Sequence, residues 1–573
     1  MMKNGDGLRL TPDKNSSTLL SRREMLHSLA GIVGTLSVFG STGMIIDRFS
    51  KGKSKDFSAE GELKGPSYQR GHSVRVPQKE QGLSKPVRKI ETEIAIVGGG
   101  ISGLSAGWKL AKSGQKDFLI FDLENQMGGN SLPGGHGSHV YPWGAHYVPL
   151  PTKESKAVLE LFKDLDVVLD STGSSVTFQE MYLCMSPQER TFSNGEWHEG
   201  LNPWHGASHV EIEEAKRWEK LISSYRNLQT TDGKRPFAIP MALSSADPAL
   251  RSLDKISALE FLNQHDLRSK PLRWYAEYAC RDDYGTSLET TSAWALLHYF
   301  CARDAHEEKT VLTWPEGNGW IVRRLEEKLA PHLRTQSLVK KIESVNRGVT
   351  LIVERQGEEE IWEVHAKKVI FALPKFILPY LVPELPSEMI TAAKNLTYAP
   401  WLVANLTLEG NLESPGFPLA WDNIILDSPS LGYIMSGFQS GKSRYGNKEE
   451  QVLTYYLAYE TQDPKGVRKS FLENDWEHHV EMVLADLESV HSDIRKITKR
   501  CDIMLWAHAM ARPTPDAIWG ESLALLRKPW RNLHFAHSDL SGVSLFEEAH
   551  YHGVRAAEEI LRELKIKFES SLV

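Results

Sequence analysis

Cysteine is scarce in this chain. The four present, Cys184, Cys280, Cys301 and Cys501, stand far apart in 573 residues and form no C-x-x-C. That excludes a disulfide scaffold and a cysteine metal site, and leaves room for one isolated disulfide. A surplus of one charge is also lacking: 67 basic residues face 74 acidic ones, a net charge of −7. A nucleic-acid binder normally carries a basic patch, so nucleic acid is not an expected partner. No G-x-S-x-G elbow occurs, which argues against hydrolase chemistry, and no H-E-x-x-H. His550 and His552 lie two apart in a helix-like segment and point apart, so no metal site is expected. Beyond Ile46 there is no long uninterrupted apolar run, and the body reads as soluble. Its length suffices for more than one core.

The first ninety or so residues differ from the rest. Ser21-Arg22-Arg23-Glu24-Met25-Leu26 precedes a mildly apolar run from Leu29 to Ile46. Basic residues followed by an apolar segment make a targeting pattern, and this one resembles a bacterial twin-arginine export signal. The resemblance implies a twin-arginine translocase as partner, and a periplasmic location or an inner-membrane anchor facing the periplasm. A basic N-terminus before an amphipathic or anchoring helix is the alternative. Residues 1–46 are therefore read as signal or anchor. Residues 47–89, rich in Lys, Ser, Gly and Gln, read as a linker or loose wrapping.

The body is organised around Ile94 to Asn130. Ile94-Ala95-Ile96-Val97 suits a buried strand. Gly98, Gly100 and Gly103 then give G-x-G-x-x-G. Gly98 makes the tight turn, Gly100 lets backbone approach a pyrophosphate, and Gly103 lets helix pack on strand. The pattern predicts a helix over about Ile101–Lys112, with Ile101, Leu104, Trp108 and Ala111 on one face. Its free N–H groups and positive dipole end face the anion, and Ser102 lies in that first turn. Phe118-Leu119-Ile120-Phe121 reads as a second strand. Asp122 closes it, 22 residues past Gly100, the distance expected of a carboxylate that binds an adenosine ribose. This unit alone does not separate FAD from NAD.

Ile120-Phe121-Asp122-Leu123-Glu124-Asn125-Gln126-Met127-Gly128-Gly129-Asn130 resembles the second-strand signature of the flavin-dependent amine oxidase superfamily. That group includes monoamine and polyamine oxidases, protoporphyrinogen oxidase and phytoene desaturase-like enzymes. Asp122 takes the acid position and Gly128-Gly129 the glycine pair, while Asn130 stands where the pattern often has Arg. The resemblance implies FAD, with its pyrophosphate near the glycine loop. Gly144-Ala145 is similar to the family segment that passes the flavin, which makes His146 and Tyr147 candidate lining residues; a packed surface turn is the alternative. Ser337 to Ile342 resembles the strand whose backbone packs on adenine, at Val339. Lys368 to Pro374 resembles the crossover into the substrate domain, and Leu505 to Pro513, with Trp506, the aromatic segment beside the cofactor. The stretch from Leu533 through Asp539, Ser541, Glu548 and Ala549 to Ala557 resembles the C-terminal FAD signature, with His537 in place of the common Gly. The lysine that often contacts water near the flavin N5 in amine oxidases has no evident counterpart.

The expected fold is α/β: a Rossmann-type FAD-binding domain with a second, mixed α+β substrate domain. The FAD domain is assembled from residues 90–150, 311–374 and 501–573. A mainly helical cap spans 151–310, and the substrate domain 375–500. Trp197, His198, Trp204 and His205 read as pocket lining or as a rigid surface loop. Trp401, Trp421, Tyr455 and Tyr456 face a ligand or, by default, the core. The expected function is an FAD-dependent oxidoreductase that oxidises a C–N or C–C bond by hydride transfer to flavin, with oxygen or another acceptor taking the electrons. Trp506, Tyr147 and His146 are the candidate pocket residues. A desaturase or protoporphyrinogen oxidase-like enzyme is one alternative, and a non-catalytic FAD-binding assembly or carrier protein the other. No cysteine sits in an evident flavinylation motif, so FAD is expected to be held without a covalent bond.

Overall fold

The computed structural model describes residues 59–75, 87–170, 176–303, 310–345, 348–410, 412, 415–438, 450–461 and 463–572. The twin-arginine stretch and the apolar run after it lie outside the described residues. Among the described residues, no helix is long and apolar enough to cross a membrane.

A seven-stranded sheet carries the dinucleotide unit. Its parallel part runs Leu333–Arg334, Phe118–Phe121, Val87–Val97, Ile361–Phe371 and Leu533–Phe535. Ser337–Val345 and Gly348–Arg355 add an antiparallel meander beside the first half of Ile361–Phe371. Strand alternation sorts the central apolar residues: Ile94 and Ile96 pack into a helical layer, while Ala95 and Val97 face the meander. The helix Ile101–Lys112 forms as the pattern predicts, and Phe118–Phe121 is the second strand. The C-terminal helix Phe546–Glu563 crosses Ile101–Lys112 so closely that a Cβ on Gly553 would sit 2.2 Å from Ser102 O.

The second lobe is built on an eight-stranded sheet. Its order is Leu63–Lys64, Thr498–Ala511, Tyr398–Leu408, Gln451–Ala458, Tyr433–Met435, Asp422–Ile425, Glu189–Ser193 and Glu196–Glu199. Three sequence boundaries shift here. Residues 59–75, inside the stretch read as linker, are seated, with Leu63 in register with Ile503. Thr498–Ala511, read largely as returning to the FAD domain, pairs along Tyr398–Leu408 instead. Glu189–Ser193 and Glu196–Glu199, with Trp197 and His198, form a hairpin, while Trp204 and His205 lie in the loop after it. Asn194 and Gly195 have φ of 53° and 87°, the left-handed pair that a tight two-residue turn requires. Within the cap, Thr177–Phe178 form a short strand before a 3₁₀ turn at Glu180–Tyr182. Two helices follow, Pro464–Glu473 and Trp476–Glu488, with Asp475 capping the second at His478 N.

Helices from the 209–301 region cover the second sheet. Ser257 caps Ala258–Gln264 by accepting Glu260 N, and a full reciprocal capping box stands at Ser208 and Glu211. Lys270–Tyr284 ends on Gly285, whose φ is 64°, against Trp401.

The crossing at Gly553 sets a prediction. Gly553→Ala forces the two helices apart or distorts one of them, and overpacking of this kind typically costs about 1–3 kcal/mol. The thermal unfolding midpoint should fall accordingly.

Candidate active site

The glycine loop and the glycine pair form one cradle. Gly128 N donates to Gly99 O at 2.9 Å, and Gly100 pairs with Gly128 as an isolated bridge. Two glycines here answer to the fold. Gly98 has φ of 110°, and a Cβ on Gly103 would meet Gly98 O at 1.8 Å. Gly100 is different. Its φ of −71° suits any residue, and an added Cβ would find nothing closer than Gly129 Cα at 4.0 Å. The protein itself does not ask for glycine there, so the demand comes from what enters the cradle. No side chain caps the helix that starts at Ile101, so its N–H groups remain for an anion. This donor set fits the FAD pyrophosphate. Ser102 contributes differently from the expectation: its hydroxyl donates to Ala549 O at 2.8 Å, tying the glycine helix to the C-terminal one.

Asp122 closes the second strand as expected. Its carboxylate accepts Gly99 N at 2.6 Å and Glu124 N at 2.8 Å, and burial pushes it up to about 6. Part of the residue stays exposed. Ser337 N donates to Asp122 O at 2.7 Å, which brings Val339, two residues on, to the same end of the cradle. A register shift between Val339 and Lys341 interrupts the ladder there.

The C-terminal segment supports the site from behind. Asp539 accepts Lys375 N at 2.8 Å and Tyr398 OH at 2.6 Å, and lies 3.0 Å from His537 Nδ1. Burial alone would raise its carboxyl; His537, Lys375 and Tyr398 more than reverse this and hold it at about 2. These contacts join the crossover, the second sheet and the C-terminal strand, and Asp539 is absent from the cavity lining. His537 adopts φ of 140° and ψ of 149°, a region open almost only to glycine. The glycine backbone path survives although the residue has changed. Ser541, Glu548 and His552 form a buried chain: Ser541 Oγ lies 2.5 Å from Glu548 Oε2 and 2.8 Å from His552 Nε2, and Glu548 Oε1 accepts Met241 N. Burial pushes Glu548 up to about 7.

In front of the cradle, between the two lobes, lies a cavity of about 170 Å³. Asn130, Gly144, Ala145, His146, Tyr147 and Trp506 all line it. The sequence had singled out all six. Gly144 is squeezed against Asn130, where a Cβ would sit 2.3 Å from the carbonyl oxygen. Trp506 uses its indole N–H on Trp143 O at 2.6 Å, and so positions this segment. His146 packs against Tyr147, Trp421 and Tyr456, with ring centroids 4.8, 5.6 and 4.6 Å away. Tyr456 lines the cavity, whereas Tyr455, on the opposite face of its strand, donates to buried Asp486. Sequence reasoning missed Asp282, Asp283, Asp422 and the buried Arg303–Glu547 ion pair at 2.9 Å, all in the lining. Elsewhere, Glu196, His198 and His205 bring one donor atom each within 4.8 Å of one another. These residues sit on or beside the hairpin and are absent from the cavity lining.

A dinucleotide cradle, a second sheet and a cavity between them define an FAD-dependent oxidoreductase of two-lobed build. The sequence model for "Flavin containing amine oxidoreductase" matches residues 101–561, and the chain belongs to that family. Among curated proteins it resembles Oxidoreductase PigB of Serratia sp. (strain ATCC 39006), at 22% identity over 294 residues. That match spans 48% of this chain and 42% of the relative, less than half of its length. Among solved structures, putrescine oxidase bound to putrescine aligns at a TM-score of 0.60 and 16% identity, over 83% of this chain and 100% of that one. Cyclohexylamine oxidase from Brevibacterium oxydans IH-35A gives 0.59 and 14%, over 83% and 99%. A fatty acid isomerase from P. acnes gives 0.57 and 14%, over 82% and 98%. At these identities the structural likeness establishes the fold.

Two outcomes follow from the cradle. Gly100→Ala should leave stability within about 1 kcal/mol, the order of a changed N-cap, while bound flavin falls sharply in the visible spectrum. Glu548 gives a pH test. Its folded value of about 7 lies above the ordinary 4.5, so the fold binds the proton that the unfolded chain releases. Stability therefore falls as pH rises from about 4.5 to 7, by about 2–3 kcal/mol from this group. Denaturant titrations across that window should show the fall, and Glu548→Gln should flatten it.

Proposed function

We propose that this enzyme oxidises the C–N bond of a cationic amine. The observation that carries the reading is the charge of the cavity: Asp282, Asp283, Asp422 and Glu547 face it against the single guanidinium of Arg303. In a site with little water, such a lining favours an ammonium group and disfavours an anion. The rings of His146, Tyr147 and Tyr456 line the same cavity, with Trp421 packed against His146 and Tyr147, and aromatic rings favour a cation. FAD supplies the two-electron acceptor for the hydride of the substrate C–H bond. The chain's residues hold that bond in place: carboxylates orient the ammonium end and the aromatic wall confines the carbon skeleton. The Trp506–Trp143 hydrogen bond fixes the Gly144-Ala145 segment. Before the hydride leaves, the ammonium group must lose a proton, and the lining carboxylates are the bases beside it.

A desaturase-like reading at a C–C bond draws on the apolar lining, with Trp401, Val403, Leu431, Ile434 and Met510. Export by the twin-arginine route remains part of the proposal on the strength of Arg22, Arg23 and the apolar run after them. Oxygen or another electron acceptor would complete the cycle.

Anaerobic mixing separates the readings. Rapid bleaching of bound flavin by a mono- or diamine is expected; bleaching only by polyenes or porphyrinogens would overturn the amine reading. Asp283→Asn should raise KM for the best amine about ten- to hundredfold, the loss of one charge-assisted contact, with a smaller change in kcat. Arg22→Lys with Arg23→Lys should leave the protein in the cytoplasm, as read by fractionation; unchanged export would overturn that assignment.

A further inference from the structure

We propose that residues 66–75 are a latch over the adenosine end of the FAD site, so that the cofactor leaves only when this strap lifts. The inference rests on the dinucleotide lying in the cradle described above. The strap begins on the other lobe. Cys501 N donates to Glu60 O at 2.8 Å, and Gly61 is pressed so close that a Cβ would sit 1.9 Å from Cys501 O. It then crosses to the FAD lobe. Ser67 gives both its donors to one carboxylate, N to Glu124 Oε1 at 2.7 Å and Oγ to Glu124 Oε2 at 2.8 Å. Arg70 reaches Leu123 O at 3.2 Å, Gln336 O at 3.3 Å and Gln356 Oε1 at 2.9 Å. Lys340 Nζ donates to Ser73 Oγ at 3.2 Å, and Val74 packs on the cluster that contains Val339.

These partners share one location. Leu123 and Glu124 directly follow Asp122, the ribose acid. Gln336 and Lys340 flank the short run that holds Val339. The strap thus lands on both sides of the adenosine end and on neither side of the catalytic cavity, whose lining contains none of its residues. Fixing ten or so residues costs conformational entropy that only specific contacts offset, and here the contacts are charge-assisted. A segment held this way over one half of a ligand slows that ligand's escape without touching the reacting half.

The test uses the purified full-length holoprotein. Ser67→Ala with Arg70→Ala cuts the contacts over the adenosine end. FAD release after dilution, read as the rise in free-flavin fluorescence, should become at least about tenfold faster, since each lost charge-assisted bond is of that order. Gly61→Ala loosens only the seat on the other lobe and should change release less than about twofold. Thermal unfolding confirms that both variants are folded. Unchanged release from a yellow, folded double variant overturns the latch. Equal acceleration by Gly61→Ala also overturns it, because the segment would then act as a tie between lobes. A colourless wild-type protein overturns the cofactor placement beneath it.

Discussion

The structure depends on backbone meeting backbone where no side chain can stand. Gly103 rests on the carbonyl of Gly98, Gly553 on that of Ser102, and Gly144 on that of Asn130. At each contact an added Cβ would lie between 1.8 and 2.3 Å from an oxygen. The first brings the glycine helix onto its strand. The second brings the C-terminal helix onto the glycine helix. The third presses the flavin-passing segment against the end of the glycine pair. Together they set how far the cradle lies from the cavity, and hence where a molecule spanning both can place its two ends.

Polar chemistry then locks this arrangement. Asp539 is a fully buried carboxylate that accepts from the crossover backbone at Lys375 and from Tyr398 of the second sheet. A buried charge without such partners is costly; with them it ties three segments that lie more than a hundred residues apart in part of the chain. His537 shows what the geometry is worth. Its side chain sits on a backbone path suited to glycine, at a cost of order 1–3 kcal/mol. The surroundings hold it there because the Asp539 junction would otherwise come apart.

Much of this was legible in the residues. Gly98 and Gly103 announced the turn because each solves a local steric problem that other residues solve badly, and Gly100 because the backbone there must leave room for the dinucleotide. Ile101–Lys112 and Phe118–Phe121 followed from apolar periodicity over short range. Gly144, His146, Tyr147 and Trp506 were placed at the cavity through a resemblance, and the structure brings them together there. Other features had no local signal. Asp283 lies at the end of the helix Lys270–Tyr284 and Asp422 at the start of the strand Asp422–Ile425, and only the packing of cap on sheet aims them at one space. Thr498–Ala511 was taken for a return to the first lobe because its aromatic pattern outweighed its length; its partners are nearly a hundred residues upstream, and no period reveals them. The seated strap was unreadable for the opposite reason. Its composition is that of a linker, and its order comes from Glu124, Gln336 and Lys340, which belong to other elements.

The division of charge across the molecule bears on the chemistry. At the cradle, binding relies on peptide N–H groups and a helix dipole, which act at short range and suit a phosphate held close. At the cavity the order reverses, with four carboxylates around one guanidinium. Under the amine reading, an ammonium group would meet these carboxylates with opposite charge in a medium where charge counts for more than in water. Asn130 stands at the boundary between the two regions, with its backbone in the cradle and its side chain donating to Ala509 O across the gap between lobes. An arginine there would add a cation at the mouth of an acidic cavity. A neutral amide joins the lobes without adding that charge.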